Sequence, residues 1–526
     1  MTVVMFPNDK ILNGQLNGQG GPLDVERLSH SLESSPPPPG RQVFANRDLR
    51  FDQINMIGFD MDYTLLSYLR VPMESLAHRL TVDRLIFKRG YPELLREKAY
   101  DPEFVIRGLV VDKQLGNIFK IDRFNHVGRC YHGRVGLEKE ERRKIYRGEH
   151  IRLSNPRYYL VDTLFALPEM CLYADIVEMF DNDWKAGKRA QPNYESIFKD
   201  VRECIDEVHR DESLKDIIRA NPEHYCPRDP ELAHTLHKMR SSGKKLFVLT
   251  NSAWNYTEPM MRFLLDGVMP QYPSWRNYFD IVVVSSKKPD WFTAQNPFVD
   301  LNIAEDARVE GKPLEKPVDK LQRGHVYCGG NLKDFEKMAL YQGEKVLYVG
   351  DHIYGDILKT KKSGLWRTAL IVSELEEEIN LSIRFKRELH ELQALEERRR
   401  LLDQELLHNK SVLVSLERVI DNLDPVKQKT ERERLIQYAK DLRRDRDEMK
   451  RVLQSALDRT LELDSLVENT FNRYWGLVFK EGHETSRFGE QVGDYACVYT
   501  SRVSNLLAYS PVQYFRAPRA LMPHER

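Results

Sequence analysis

The 526 residues include 80 basic and 80 acidic side chains, so the formal charge is zero and no global field draws the chain to nucleic acid or to a membrane surface. No apolar run approaches the ~20 residues that cross a bilayer. The start of the chain lacks the basic flank and apolar stretch of a secretion signal, so a cytoplasmic protein is expected. The six cysteines (Cys130, Cys171, Cys204, Cys226, Cys328, Cys497) are scattered without a C-x-x-C pair. That usage fits free thiols in a reducing compartment rather than a disulfide framework. The length allows two or three domains with a sizeable core.

In chain order, residues 1–46 read as a disordered tail, rich in Gly, Asn, Gln and Ser and ending near four prolines, Pro36 to Pro39. Such a run favours an extended, solvated linker, with a Pro-rich docking site as the alternative. Ile54–Phe59 is the first buried-strand candidate. It leads into Asp60 and Asp62, two residues apart, and then Thr64. Residues at i and i+2 of an extended segment share a side. The two carboxylates therefore converge at a strand's carboxyl end, where open α/β sheets bind ligands. Side by side they repel, so a cation or a shared proton is needed. The pair suits a Mg²⁺-bound nucleophile beside a general acid, which is phosphoryl-transfer chemistry. Taken alone, such a pair as readily shapes a turn or caps a helix.

Residues 76–235 mix helical and strand signals. A connection of that length within one sheet has structure of its own, so it reads as an inserted cap and substrate-recognition segment, part of which can belong to the core. Three further apolar, β-branched runs follow: Lys245–Thr250, Asp280–Val284 and Lys345–Val349. With the first they predict a parallel sheet covered on both faces, in a core of residues 47–75 and 236–384. Residues 385–470 read as an antiparallel helical hairpin broken at Asp424-Pro425, with Leu435, Leu442, Met449, Ala456 and Leu463 seven apart. It is either a surface feature of one subunit or an oligomerisation arm. The aromatic segment 471–526 is expected to pack back on the globular body.

Each later strand ends in residues that complement Asp60 and Asp62. Thr250, Asn251 and Ser252 can donate to phosphate oxygens. Lys287-Lys288-Pro289 supplies an ammonium, a point charge for a phosphate and its nucleophile. Gly350-Asp351-His352-Ile353-Tyr354-Gly355-Asp356 supplies carboxylates that can complete an oxygen-rich octahedral Mg²⁺ site. Singly these are a turn, a solvated pair and a loop. Together, in this order, they resemble the four signature motifs of the haloacid dehalogenase superfamily.

The resemblance implies a Rossmann-like parallel sheet core of the haloacid dehalogenase type with an inserted cap. It implies Asp60 as the nucleophile that forms an aspartyl-phosphate. Asp62 would be the acid for the leaving group and then the base for water, Thr250 a phosphate ligand and Lys288 the charge stabiliser. Asp351 would ligate Mg²⁺ with Asp60 and the Asp62 backbone carbonyl, and Asp356 would orient that site. Gly58-Phe59-Asp60-Met61-Asp62-Tyr63-Thr64-Leu65, Thr81-Val82-Asp83-Arg84-Leu85, Arg107-Gly108-Leu109-Val110, Thr163-Leu164-Phe165-Ala166-Leu167-Pro168-Glu169 and Leu521-Met522-Pro523-His524-Glu525 look like the cytosolic purine 5′-nucleotidases of the IMP–GMP-specific type II family.

That similarity spans about residue 50 to the C-terminus. It implies hydrolysis of a purine nucleoside 5′-monophosphate, phosphotransfer to a second nucleoside, and a homo-oligomer (dimer or tetramer). It also implies base binding by Phe165, Arg202, Asp206, His209 and Lys215. Arg202, Asp206 and His209 stand at i, i+4 and i+7, on one helix face; without the resemblance they read as an exposed ion pair. Two positions depart from the family, Asp162 and Ala166, where its purine enzymes carry Asn. Asp162 lies at a family effector position together with Tyr354 and Lys362. A carboxylate there repels a polyphosphate, so weak or absent ATP activation is expected.

Overall fold

The computed structural model describes residues 36–149, 151–301, 303 and 318–525. Most of the expected tail, residues 1–35, lies outside them. The chain divides into two compact units. One comprises residues up to Tyr68, Cys226–Ser373 and residues from Tyr495 onward; the other comprises Leu69–Tyr225 and Glu374–Asp494.

The first unit is built on a nine-stranded mixed sheet. Its strands in chain order are β1 (Phe44–Ala45), β2 (Met56–Phe59), β3 (Lys245–Leu249), β4 (Ile281–Val284), β5 (Phe298–Asp300), β6 (Val326–Gly329), β7 (Val346–Gly350), β8 (Arg367–Ile371) and β9 (Val498–Thr500). In space the order is β1-β9-β8-β7-β2-β3-β4-β6-β5. The interior strands from β9 to β6 run parallel, and each edge strand is antiparallel to its neighbour. The four apolar runs predicted as strands are therefore adjacent, as β7-β2-β3-β4. They are buried almost throughout, as parallel strands covered on both faces must be.

The chain leaves β2 toward β3 and β4 on one side and later returns to β7 and β8 on the other. The strand order thus reverses between β2 and β7, where open parallel sheets leave a crevice at their carboxyl ends. Register carries this alignment to the neighbours: Phe59 is opposite Val349 and Val248, and Leu249 is opposite Val283. The residues just past each strand consequently share one rim. Phe247, Leu249, Val283, Trp291, Tyr348 and Trp366 pack in one buried cluster beneath it, each large side chain contributing roughly 1.5–3 kcal/mol. Gly58 makes room for this packing. A Cβ at that position would stand 2.1 Å from Cζ of Phe247.

In the second unit a five-stranded antiparallel sheet includes Leu109–Asp112, Asn117–Ile121, Val127–His132 and Tyr158–Leu160. Helices Arg70–Arg89, Leu167–Lys185 and Tyr194–Arg210 belong to the same unit. So do two long helices, Lys386–Asn422 and Lys429–Phe471, of 37 and 43 residues. The seven-residue repeat of the second long helix faces the first. Leu463 and Val467 are buried with Leu392, and Asn409 donates to Met449 Sδ at 3.6 Å. That apolar seam is thus closed within the chain. The aromatic C-terminal segment is shared between the units. Trp475 is buried against Phe104 and Tyr131 in the second, while β9 and the Phe515 ring belong to the first. All six cysteines are free thiols, and among the described residues no helix is long and apolar enough to cross a membrane.

Candidate active site

The first unit brings Asp60, Asp62, Thr250, Asn251, Ser252, Lys288 and Asp351 to the loops after β2, β3, β4 and β7, and Asp356 to the helical segment Ile353–Leu358 that follows β7. Asp60 is anchored at the switch point, where its N–H donates to Val349 O at 2.9 Å. Lys288 is the hub. Its ammonium lies 2.9 Å from Asp60 Oδ1 and 2.7 Å from Asp356 Oδ1, and it donates to Tyr348 Oη at 2.9 Å. Tyr348 in turn donates to Leu249 O at 3.0 Å. All three ammonium protons thus have acceptors in a site where Lys288 and Asp356 are buried.

The electrostatics follow from this geometry. Burial pulls the Lys288 ammonium toward the neutral form, but Asp356 and Asp60 outweigh it and hold its pKa well above the usual lysine value. Burial pushes Asp60 up to about 7, opposed by Lys288 and reinforced by Asp356 and Asp62. A buried carboxylate cluster with a single ammonium has an excess of negative charge. Asp60, Asp351 and Asp356 each bring a carboxylate oxygen within 4.8 Å of the others. An all-oxygen, anionic donor set of this kind fits a hard divalent cation. Asp356 already accepts from Lys288 and, through Oδ2 at 3.3 Å, from the His352 N–H, which suits a residue that orients the others. Gly350 lets it lie against β7, since a Cβ there would come within 2.5 Å of Asp356 Oδ2.

Asp62 is held apart from this hub by two hydroxyls. Tyr68 donates to its Oδ1 at 2.6 Å and Ser252 to its Oδ2 at 2.7 Å. Thr250 is fully buried, and its Oγ1 accepts from the Ser252 N–H at 3.0 Å. Asn251 turns toward the β4 loop. Its Oδ1 accepts from Lys288 N–H at 2.6 Å and from Ser286 Oγ at 2.9 Å, while its Nδ2 donates to Lys288 O at 2.9 Å. The loop it grips contains Ser285 and Lys287 at φ 47° and 62°, and Tyr63 after β2 stands at 55°. Non-glycine residues at positive φ cost free energy and cluster where a loop must aim a functional group.

Sequence reasoning missed Tyr348 and Tyr68. Tyr348 lies inside an apolar strand and reads as core, whereas Tyr68 sits six residues past Asp62 in an irregular stretch with no periodic signal.

The second unit gathers the other set. The Phe165 and His209 rings meet edge-on at 5.4 Å. Arg202 pairs with Asp206 at 3.1 Å, donates to Glu169 Oε2 at 2.6 Å and to Tyr159 Oη at 3.0 Å. Burial, then Lys215 and Arg202, bring His209 down to about 4, so it is neutral at physiological pH. Lys215 lies 3.9 Å from Glu212. Burial raises Glu169 to about 7 against the pull of Arg202. Glu169 is the member not singled out from sequence, although it closes the Thr163–Glu169 motif. Ala166 is buried and Asp162 half-buried in this unit. Tyr354, in the first unit, is exposed with Lys359 Nζ 5.3 Å from its ring centroid; the Lys362 side chain lies outside the described residues.

Comparison with known proteins gives a consistent result. The model of the 5′ nucleotidase family matches residues 43–526. A 5′-nucleotidase domain-containing protein of Dictyostelium discoideum is 29% identical over 509 residues, covering 95% of this chain and 77% of its own length. The 5′-nucleotidase domain-containing protein 2 of Rattus norvegicus is 29% identical over 524 residues, covering 95% and 84% respectively.

Proposed function

The chain is an enzyme of the 5′ nucleotidase family, and from that premise we propose that it hydrolyses purine nucleoside 5′-monophosphates of the IMP/GMP type through an aspartyl-phosphate on Asp60. The observation that carries this reading is the Lys288 ammonium bonded at once to Asp60, Asp356 and Tyr348 at the strand-order reversal. The order of these groups along the chain supports a haloacid dehalogenase-type core with residues 76–235 as cap.

Asp60 attacks phosphorus, the phosphorus–O5′ bond breaks, and Asp62 gives its proton to the departing nucleoside oxygen. Tyr68 and Ser252 aim the Asp62 carboxyl through their hydroxyls. Asp62 then takes a proton from water as it attacks the acyl-phosphate, which returns Asp60 and releases phosphate. If a nucleoside hydroxyl replaces that water, the phosphoryl group is transferred instead. Thr250 accepts from a backbone N–H and keeps its hydroxyl proton for a phosphate oxygen. Lys288 offsets charge on the transferring group throughout. Asp60 and Asp351 would hold Mg²⁺, with Asp356 orienting them. Bound Mg²⁺ would add positive charge that favours ionised Asp60 and stabilises phosphate oxygens. Phe165, Arg202, Asp206, His209 and Lys215 form the proposed base-recognition set.

The buried Ala166 and the half-buried Asp162, where the family's purine enzymes carry Asn, favour a second reading in which another phosphomonoester is preferred. The test is phosphate release across nucleoside monophosphates and sugar phosphates, with Asp60→Asn as control. Preference for IMP and GMP, and loss of all turnover in a folded Asp60→Asn protein, is expected. Retained turnover in that variant would reject Asp60 as nucleophile, and preference for a sugar phosphate would reject the purine reading.

A further inference from the structure

We propose that a cationic cleft in the second unit, built from none of the residues assigned above, is a binding site for a small anion carrying two or more phosphate groups. The cleft has a volume of about 790 Å³ and lies between the Phe124–Val127 turn and the helix Lys139–Tyr146 with the turn that follows it.

The helix separates its charges by face. Lys139, Arg142, Arg143 and Tyr146 line the cleft, at i, i+3, i+4 and i+7, the positions that share one side of a helix. Glu140, Glu141 and Lys144 are absent from the lining. Arg147, just past the helix, adds a fourth cation to the cleft. Among the described residues none of these four cations forms an ion pair with a carboxylate. The one acidic group in the lining, Glu149, is engaged by Arg157 at 3.1 Å and by Tyr158 Oη at 2.9 Å. Like charges at i, i+3 and i+4 weaken a helix, so this arrangement is stabilised by an anion that bridges them. Arginine forks match phosphate oxygens, and the single carboxylate of the lining is already engaged by Arg157 and Tyr158.

The walls are held in place. Tyr146 is buried, donates to Asp112 Oδ2 at 3.1 Å and accepts from Asn117 Nδ2 at 2.9 Å, which fixes the helix as a floor. Opposite, Asp122 Oδ1 accepts from the N–H groups of Phe124 and His126 at 2.8 and 2.9 Å. This turn presents the Phe124 ring with 53% of its surface exposed. A flat apolar face beside four cations suits a planar group attached to the phosphates, so an inorganic polyphosphate and a nucleoside polyphosphate share the required chemistry.

The experiment is calorimetric titration of the full chain, without divalent cations, with inorganic triphosphate and with a nucleoside triphosphate. Both are expected to bind, with an affinity that falls as salt rises. Arg142→Ser/Arg143→Ser is expected to weaken triphosphate at least tenfold. Arg399→Ser/Arg400→Ser on the first long helix removes the same charge and is expected to change nothing. Lys288→Met is expected to retain the site, which separates it from phosphate bound at the candidate active site. Phe124→Ala distinguishes the sources: tighter nucleoside binding is lost only if the ring stacks on the base. Arg147→Ser, outside the helix, serves as a second test should the double variant fail to fold. Wild-type affinity in both cleft variants, equal loss in the charge-matched control, or binding of only an acidic peptide or RNA would overturn the proposal.

Discussion

Asn251→Ala tests whether the residue after Thr250 touches substrate or aims Lys288. Its side chain makes three hydrogen bonds, two of them to the backbone of Lys288 itself. Each is worth about 1 kcal/mol net, and leaving the partner groups unpaired costs more. The gripped loop also holds two residues at positive φ, Ser285 and Lys287, whose cost of about 1–3 kcal/mol each persists only while contacts enforce it. Losing the clamp therefore removes about 3 kcal/mol of restraint. If half or more of that appears as misplacement of the ammonium, the transition state loses about 1.4–2.8 kcal/mol, a 10- to 100-fold fall in kcat. Lys288 opposes charge that develops during transfer, so KM should change less than threefold. Steady-state phosphate release, with the best substrate from the screen and saturating Mg²⁺, measures both. A tenfold or larger rise in KM at constant kcat would show that Asn251 binds substrate uniformly, and the positioning argument would fail.

Removal of divalent cations with a chelator should abolish turnover. Mg²⁺ should restore it fully and the larger Ca²⁺ by less than a tenth, because Mg²⁺ takes a tight octahedral oxygen shell whereas Ca²⁺ takes a longer, looser one; equal recovery with Ca²⁺ would sink the assignment. A pH effect on stability is expected at Glu74, which is buried, paired with Arg70 at 3.3 Å and bonded by Tyr100 at 2.5 Å. Burial raises it to about 7 against those partners. The folded pKa lies above the unfolded one, so the stability it contributes is fully present below about 4.5 and lost as pH rises through 7. The loss is at most about 3 kcal/mol. Urea midpoints at pH 5 and 7.5 should therefore fall less in Glu74→Gln than in the unmodified protein, and parallel slopes would count against it.

The four strands that carry the candidate site were legible because parallel strands buried on both faces must be short, continuous apolar runs. Their carboxyl-end residues stood out because Asp60, Asp62 and Asp351 are polar where the runs stop. The long hairpin was legible from its repeat, which requires only local periodicity. By contrast, β1, β5 and β9 have two or three residues each, too short for a period, and they exist because a longer neighbour offers an unpaired edge. The sheet of the second unit was not resolved into strands for a related reason. Asp112, Asn117 and Lys120 are buried within it, so no clean alternation marks it. Their burial is satisfied by tertiary partners such as Arg157 on Asp112 and the Trp475 carbonyl on Lys120. The clamp formed by Asn251 was hidden because an amide after a strand looks the same whether it faces a ligand or a loop.

The bonds from Lys288 through Tyr348 to the Leu249 carbonyl have a direction. The phenol uses its only proton on the carbonyl and offers Lys288 an oxygen alone. A backbone carbonyl has nothing to pass on. The relay is therefore a cul-de-sac: no proton can enter it from the reaction or leave by it. Lys288, held charged by Asp356 and Asp60, is a fixed cation and never an acid. Proton traffic in the proposed cycle is confined to the Asp62 side, where Tyr68, its own proton on Asp62, accepts from the Tyr256 hydroxyl at 2.9 Å.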